Sequence, residues 1–246
     1  MPHPDRTVGP PDRAPIAVAL DAPDLATATS WAAQVGGSVA AIKIGLETYL
    51  RDGADGVRAV YSALEGDPHE PPALFLDLKL HDIPNTVAGA ARSVAPLQPA
   101  LLTVHALGGA AMIAAAAEAL PDTRITAVTI LTSMDAAALA DVGVTGDPIT
   151  AVVRLARLAV GAGARALVCS PLEVAAVRAA VPDDVVLVTP GVRPAGAAVG
   201  DQRRVATPEQ ALADGADLLV IGRPITGAAD IGGVCRQLSS SLSGNR

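Results

Sequence analysis

Aromatic residues are nearly missing from this chain. It has one phenylalanine, one tryptophan and two tyrosines, 2% of the sequence, beside a hydrophobic content of 50%. The core must therefore be assembled from alanine, valine, leucine and isoleucine, which suits many short helices packed on a parallel sheet. Cysteine is equally scarce. Cys169 and Cys235 stand far apart without metal-ligand neighbours, so neither a disulfide framework nor a zinc site is expected, and reduced thiols in a cytoplasmic protein are the default. No run of eighteen apolar residues occurs, since even Ala110 to Leu120 is broken by Glu118, and no charged-then-apolar leader opens the chain. A soluble protein with no membrane partner is expected. Positive charge is in deficit, with a net charge of −7, which argues against nucleic acid as a partner. A small anion held in a local basic pocket remains compatible.

Lysine is the sharpest shortage. Of eighteen basic residues only Lys43 and Lys79 are lysines, and both fall near the ends of expected strands. Where arginine serves every generic need, a lysine points to a compact ammonium able to give up a proton. Lys79 belongs to the stretch Asp77-Leu78-Lys79-Leu80-His81-Asp82-Ile83-Pro84-Asn85-Thr86, which follows the apolar run Ala73-Leu74-Phe75-Leu76. In a strand, Asp77 and Lys79 share one side because side chains alternate. Asp82 lies just past the strand, close enough to reach back to Lys79. One account is a structural ion pair, which on an exposed surface is worth about 0–1 kcal/mol. The apolar flanks favour the other: desolvated charges are costly and are tolerated where function requires them. The stretch is therefore read as a catalytic cluster.

Strand-like runs recur at Ile16–Asp21, Ala40–Gly45, Ala73–Lys79, Leu101–Ala106, Ile125–Thr132, Ala166–Ser170, Val185–Gly191 and Asp217–Gly222. Alanine-rich helical segments lie between them, among them Leu25–Val35, Thr86–Ala95, Ala110–Leu120, Ile149–Gly161 and Leu172–Ala180. This count and length predict an α/β fold, a single-domain (β/α)8 TIM barrel over residues 16–236. Residues 1–15 are expected to form a loose tail and residues 237–246 to fray. A doubly wound open sheet is the alternative, but the first turn lacks a dinucleotide-type glycine pattern. In a barrel, reactive residues should gather at the C-terminal strand ends. Asp21, Lys43, the Asp77/Lys79/Asp82 group, His105, Thr132, Ser170, Arg193 and Arg223 all do, while the N-terminal ends show little such chemistry.

Two late segments suit an anion. Thr189-Pro190-Gly191-Val192-Arg193-Pro194 leads through a glycine-bearing linker to Gly200-Asp201-Gln202-Arg203-Arg204, a connection long enough to act as a lid. Ile221-Gly222-Arg223-Pro224 sets glycine and arginine at a helix start, where barrels often hold phosphate. Other candidates have two readings each. His105 is either an acid–base group or a hydrogen-bonded core histidine. Thr132 either offers a hydroxyl to a substrate amide or caps a helix ahead of Met134–Leu139. Arg203 and Arg204 either meet the anion or form a solvated turn. His3 and His69 sit in proline-rich loops and are expected to do nothing.

Together these motifs resemble the orotidine 5′-phosphate decarboxylases. The resemblance is carried by the Asp77–Thr86 stretch, Leu131-Thr132-Ser133, Thr189-Pro190-Gly191-Val192-Arg193, Gly200-Asp201-Gln202-Arg203-Arg204 and Val220-Ile221-Gly222-Arg223-Pro224, with Asp21 and Lys43 fitting the opening strands. It implies orotidine 5′-monophosphate as substrate, UMP and CO₂ as products, and no cofactor or metal. It assigns Lys79 as proton donor to C6 of the pyrimidine, with Asp77 and Asp82 completing the charged network. It implies a homodimer in which Asp82 and Thr86 reach the partner's site. Asp21 and Lys43 would contact the ribose, Thr132 the base, and Arg193, Gln202, Gly222 and Arg223 the phosphate end, with Pro190 a further substrate contact.

The residues suit that chemistry. Loss of CO₂ leaves a ring carbanion, which a fixed ammonium stabilises without reorganisation. Two unit charges 4 Å apart interact by about 4 kcal/mol at an effective dielectric near 20, so flanking carboxylates favour a protonated lysine ready to act as general acid. Two other functions compete. A magnesium-dependent sugar-phosphate decarboxylase or aldol-type lyase could use the same carboxylates, but the His-Asp-Ile-Pro-Asn-Thr continuation and the Gly-Asp-Gln-Arg-Arg loop argue against it. A non-catalytic nucleotide-binding barrel has no evident reason to bury the cluster.

Overall fold

Eight apolar stretches become strands: β1 (Ala14–Ala19), β2 (Val39–Gly45), β3 (Ala73–Leu80), β4 (Leu101–His105), β5 (Arg124–Val128), β6 (Ala166–Val168), β7 (Val186–Pro190) and β8 (Leu218–Ile221). The computed structural model describes residues 6–65, 70–193 and 206–243. His3, His69, Gln202, Arg203 and Arg204 lie outside the described residues. Each strand pairs with the next in sequence, and β1 pairs in parallel with β8, closing the expected eight-stranded barrel.

Helices α1 (Leu25–Val35), α2 (Leu46–Ser62), α3 (Pro84–Val94), α4 (Ala110–Ala119), α5 (Ala136–Asp141), α6 (Pro148–Gly161), α7 (Val174–Arg178), α8 (Pro208–Ala213), α9 (Arg223–Thr226) and α10 (Ile231–Ser243) fill the connections. Their starts are written locally. Asp24, Asp135, Asp147 and Thr207 accept backbone N–H bonds as N-caps, and Pro84, Pro148 and Pro208 begin helices where a missing N–H does no harm. Helix α2 kinks at Gly53, whose φ is 63°.

Two apolar layers follow from strand alternation. The outer one packs strands against helices; the inner one holds Ala17, Ala41, Phe75, Leu101, Ala166, Val186 and Leu218. Phe75, the one phenylalanine, fills the barrel interior against small neighbours, so a core nearly free of aromatics still packs.

The chain differs from expectation at both ends. Residues 6–15 are not loose: Val8 is buried in the inner layer, Arg13 donates to the carbonyls of Gly36 and Glu70, and Arg6 lies 3.4 Å from Asp217. Gly9 (φ 68°) lies so close to Ala40 O that a Cβ would stand 1.9 Å away. The segment packs at the N-terminal end of the barrel, beside an ion cluster in which Arg178 lies 3.6 Å from the same Asp217. Likewise α10 continues to Ser243 because Leu238 and Leu242 are buried. Composition hid both, since a few anchoring side chains outweigh many polar ones. Among the described residues no helix is long and apolar enough to cross a membrane.

Candidate active site

The inner layer changes character two residues higher. Above Ala41, Phe75 and Leu101, alternation places Lys43, Asp77 and Thr103. Above Ala166, Val186 and Leu218 it places Val168, Val188 and Val220. A charged wall on β2 and β3 thus faces an apolar wall on β6–β8 across a cavity of about 350 Å³ at the C-terminal mouth. Asp21, Lys43, Asp77, Lys79, Thr132, Pro190, Arg193, Gly222 and Arg223 all line this cavity.

The charges alternate in a row. Asp21 Oδ1 lies 3.5 Å from Lys43 Nζ, which lies 3.2 Å from Asp77 Oδ2, and Asp77 Oδ1 lies 2.8 Å from Lys79 Nζ. Exposure rises toward the row's ends: the side chains of Lys43 and Asp77 are 8% and 13% exposed, those of Lys79 and Asp21 32% and 49%. Burial alone would raise the Asp77 carboxyl, but the Lys43 and Lys79 ammoniums outweigh it and hold the group below the usual carboxylate range.

This corrects one expectation. In the single chain Lys79 pairs with one carboxylate, Asp77, not with two; the lysine between two carboxylates is Lys43. Asp82 makes no ion pair with Lys79; it is exposed and accepts the Ile83 N–H at 2.6 Å. Thr86 is exposed on the first turn of α3, and neither residue lines the cavity. The cause is that Pro84 starts α3 directly beyond the strand and carries both residues outward.

Strand β3 is not regular where it matters. Leu76 pairs with Leu102, yet Leu80 pairs with Val104, so four steps along β3 match two along β4. The surplus forms a bulge in which Lys79 adopts φ 51°. Asp77 reaches the cavity by alternation, and Lys79 reaches it through this bulge.

Other candidates separate cleanly. Thr132 sits in the turn after β5 facing the cavity, and the cap of α5 is Asp135, so its helix-cap alternative falls away. Strand β5 ends earlier than expected, at Val128, after which the Thr129 backbone and hydroxyl both donate to Val168 O. Ser170 is buried before the short turn Pro171–Glu173, where its N–H meets Glu173 Oε2 at 2.9 Å, a structural role. His105 does not line the cavity; its ring packs 5.5 Å from that of His81. Arg193 donates its N–H to Ala206 O at 3.0 Å, pinning together the two ends of the long connection after β7. Two features escaped sequence reasoning, Thr103 and the valine wall. Strand alternation from Leu101, Ala166, Val186 and Leu218 carried the signal for both.

The sequence profile of the orotidine 5′-phosphate decarboxylase / HUMPS family matches residues 14–238, from the first residue of β1 into α10. The chain belongs to this family. Among its relatives, the orotidine 5′-phosphate decarboxylase of Thermobifida fusca (strain YX) is 66% identical over 229 residues, covering 93% of this chain and 96% of that protein. The enzyme of the same name from Frankia casuarinae is 56% identical, covering 97% and 91%. Among solved structures, orotidine 5′-phosphate decarboxylase from Lactobacillus acidophilus superposes with a TM-score of 0.79 at 32% identity, covering 93% of this chain and 99% of that one. An uncharacterized conserved protein from Geobacillus kaustophilus gives 0.78 at 32% identity, covering 93% and 100%. Membership of a decarboxylase family gives the row of charges a reaction to serve.

Proposed function

We propose that this chain decarboxylates orotidine 5′-monophosphate to UMP and CO₂, the last step of pyrimidine nucleotide synthesis, without cofactor or metal. The observation that carries the reading is the Asp21–Lys43–Asp77–Lys79 row at the mouth of a closed barrel, opposite an apolar wall and beside Arg193 and Arg223.

The phosphate end binds through Arg193, Gly222, Arg223 and Gln202, the ribose meets Asp21 and Lys43, and the base meets Thr132, with Pro190 against the substrate. The ring then lies between the ion row and the valines. As the bond to CO₂ breaks, its electron pair stays on C6. The Lys79 ammonium, already in place, stabilises that charge and delivers its proton there. The valines exclude water, which keeps the charge–charge interaction strong. Asp77 orients Lys79 and places negative charge where the substrate carboxylate arrives, so the ground state gains less from binding than the transition state. Asp77 holds its oxygens on two ammoniums, which leaves it poorly suited to a magnesium ion.

The finer assignment is a homodimer. Asp82 and Thr86 project from the start of α3 beside Ile83, which is 66% exposed. An exposed isoleucine beside an exposed carboxylate suits a second copy, whose Asp82 would meet this chain's Lys79 and complete the row. The setting is the cytoplasm.

The test is the fall in ultraviolet absorbance as purified protein converts orotidine 5′-monophosphate, with and without EDTA. Turnover unaffected by chelator is expected. Absence of turnover, or its loss with EDTA, overturns the reading.

A further inference from the structure

Thr103 sits in the middle of β4, fully buried and opposite the β3 bulge. Its hydroxyl accepts the Lys79 backbone N–H at 2.8 Å and donates to Asp77 Oδ1 at 3.0 Å. Asp77 Oδ1 in turn receives Lys79 Nζ at 2.8 Å, so the three residues close a ring of contacts. Thr103 is not among the residues that wall the cavity.

This geometry answers two problems that the bulge creates. A bulge takes an N–H out of the strand ladder, and a buried N–H needs an acceptor. Lys79 also holds a left-handed backbone that a side chain bearing Cβ disfavours, and such strain persists only where surroundings fix it. The Thr103 oxygen supplies the acceptor. Because an amide can only donate, the hydroxyl must then turn its own proton toward a different acceptor, and Asp77 is there. One hydroxyl therefore sets both the lysine's backbone and its counter-ion. Threonine's branched Cβ restricts rotation about χ1, which serves that purpose. Packing alone would be satisfied by valine, which has the same shape and no hydroxyl.

We propose that Thr103 is a positioning residue for the decarboxylation: its hydroxyl clasps the strained Lys79 backbone to Asp77 and so aims the ammonium at the reacting carbon. The proposal rests on the decarboxylase reading above and deepens it.

The experiment compares Thr103→Val, Thr103→Ala and Thr103→Ser in the full chain, reading steady-state kinetics on orotidine 5′-monophosphate and hydrogen exchange of the Lys79 amide. Valine and alanine should lower kcat by about 10²-fold, the scale of a small misplacement of a reacting group, and leave KM within about threefold because phosphate contacts are untouched. Serine restores the hydroxyl and should keep kcat within about fivefold of the parent. The Lys79 amide should exchange about tenfold faster in the valine and alanine variants, and at the parental rate with serine. The idea is overturned if valine or alanine retains near-parental kcat, if serine is as slow as alanine, or if exchange is the same in all. Should the valine variant fail to fold, the alanine–serine contrast carries the test. A parent that does not turn over the substrate, yet shows this exchange pattern, removes the decarboxylase reading and with it the catalytic part of the proposal, while the clasp itself stands.

Discussion

Lys43 Nζ stands 3.2 Å from Asp77 Oδ2, on the opposite side of the carboxylate from Lys79. Asp77 is thus the shared counter-ion of the two lysines in the chain. Asp77→Asn should leave two ammoniums facing a neutral amide. Breaking a buried pair costs about 3–5 kcal/mol, and the partial exposure of Lys79 together with the second partner of Lys43, Asp21, reduces this to about 2 kcal/mol. Urea unfolding measures it. In kinetics, kcat should fall by about 10²-fold or more without a rise in KM, because the variant also loses the charge that opposes the substrate carboxylate. A variant with raised KM and unchanged kcat would mean that Asp77 only binds.

Lys79→Ala should abolish turnover, and Lys79→Arg should do nearly as badly. Guanidinium keeps the positive charge but is a poor proton donor, and its planar fork does not fit a position shaped for a compact ammonium 2.8 Å from Asp77. The measurement is single-turnover decarboxylation. Near-normal rates in the arginine variant would rule out proton donation by this residue.

Most of the barrel was legible because each layer is encoded twice, by apolar runs of strand length and by helices with their own caps. Helix α1 and the start of α4 fall where periodicity puts them. The charged residues that line the cavity were legible as strand-end chemistry, from Asp21 to Arg223. Of the partners of Lys79, Asp77 was legible, whereas Thr103 and the outward position of Asp82 were not. Alternation predicts facing, and it cannot foresee that β3 carries a surplus of residues opposite Thr103 or that Pro84 throws Asp82 outward. A threonine inside Leu101-Leu102-Thr103-Val104 looks like an ordinary strand former until the bulge gives its hydroxyl two partners.

His105 should make stability fall on acidification. Burial, with His81 and Lys79 beside it, holds its imidazole below the ordinary value of 6.5, and Asp77 opposes only in part. The unfolded chain therefore binds the proton more readily than the folded one. The contribution is complete above about pH 6.5 and is lost as pH falls through the lower folded value. Urea midpoints at pH 7, 6 and 5 should decline for the parent and decline less for His105→Gln. Equal slopes would show that the His81–His105 pair, 5.5 Å apart, does not govern this range.

Asp82 decides whether the site is built by one chain or two. If it acts across a dimer, Asp82→Ala and Lys79→Ala should each be nearly inactive alone and complement when mixed. In a heterodimer of the two, one site combines both defects and the other has intact Lys79 from one chain and intact Asp82 from its partner. Random reassortment at equal amounts makes half the dimers mixed and half their sites whole, so about a quarter of parental activity should return. If Asp82 instead swung back to the Lys79 of its own chain, every site in the mixture would keep a defect and no activity would return. The exposed position of Asp82, with its carboxylate on the Ile83 N–H and its neighbour Ile83 facing solvent, supports the first outcome.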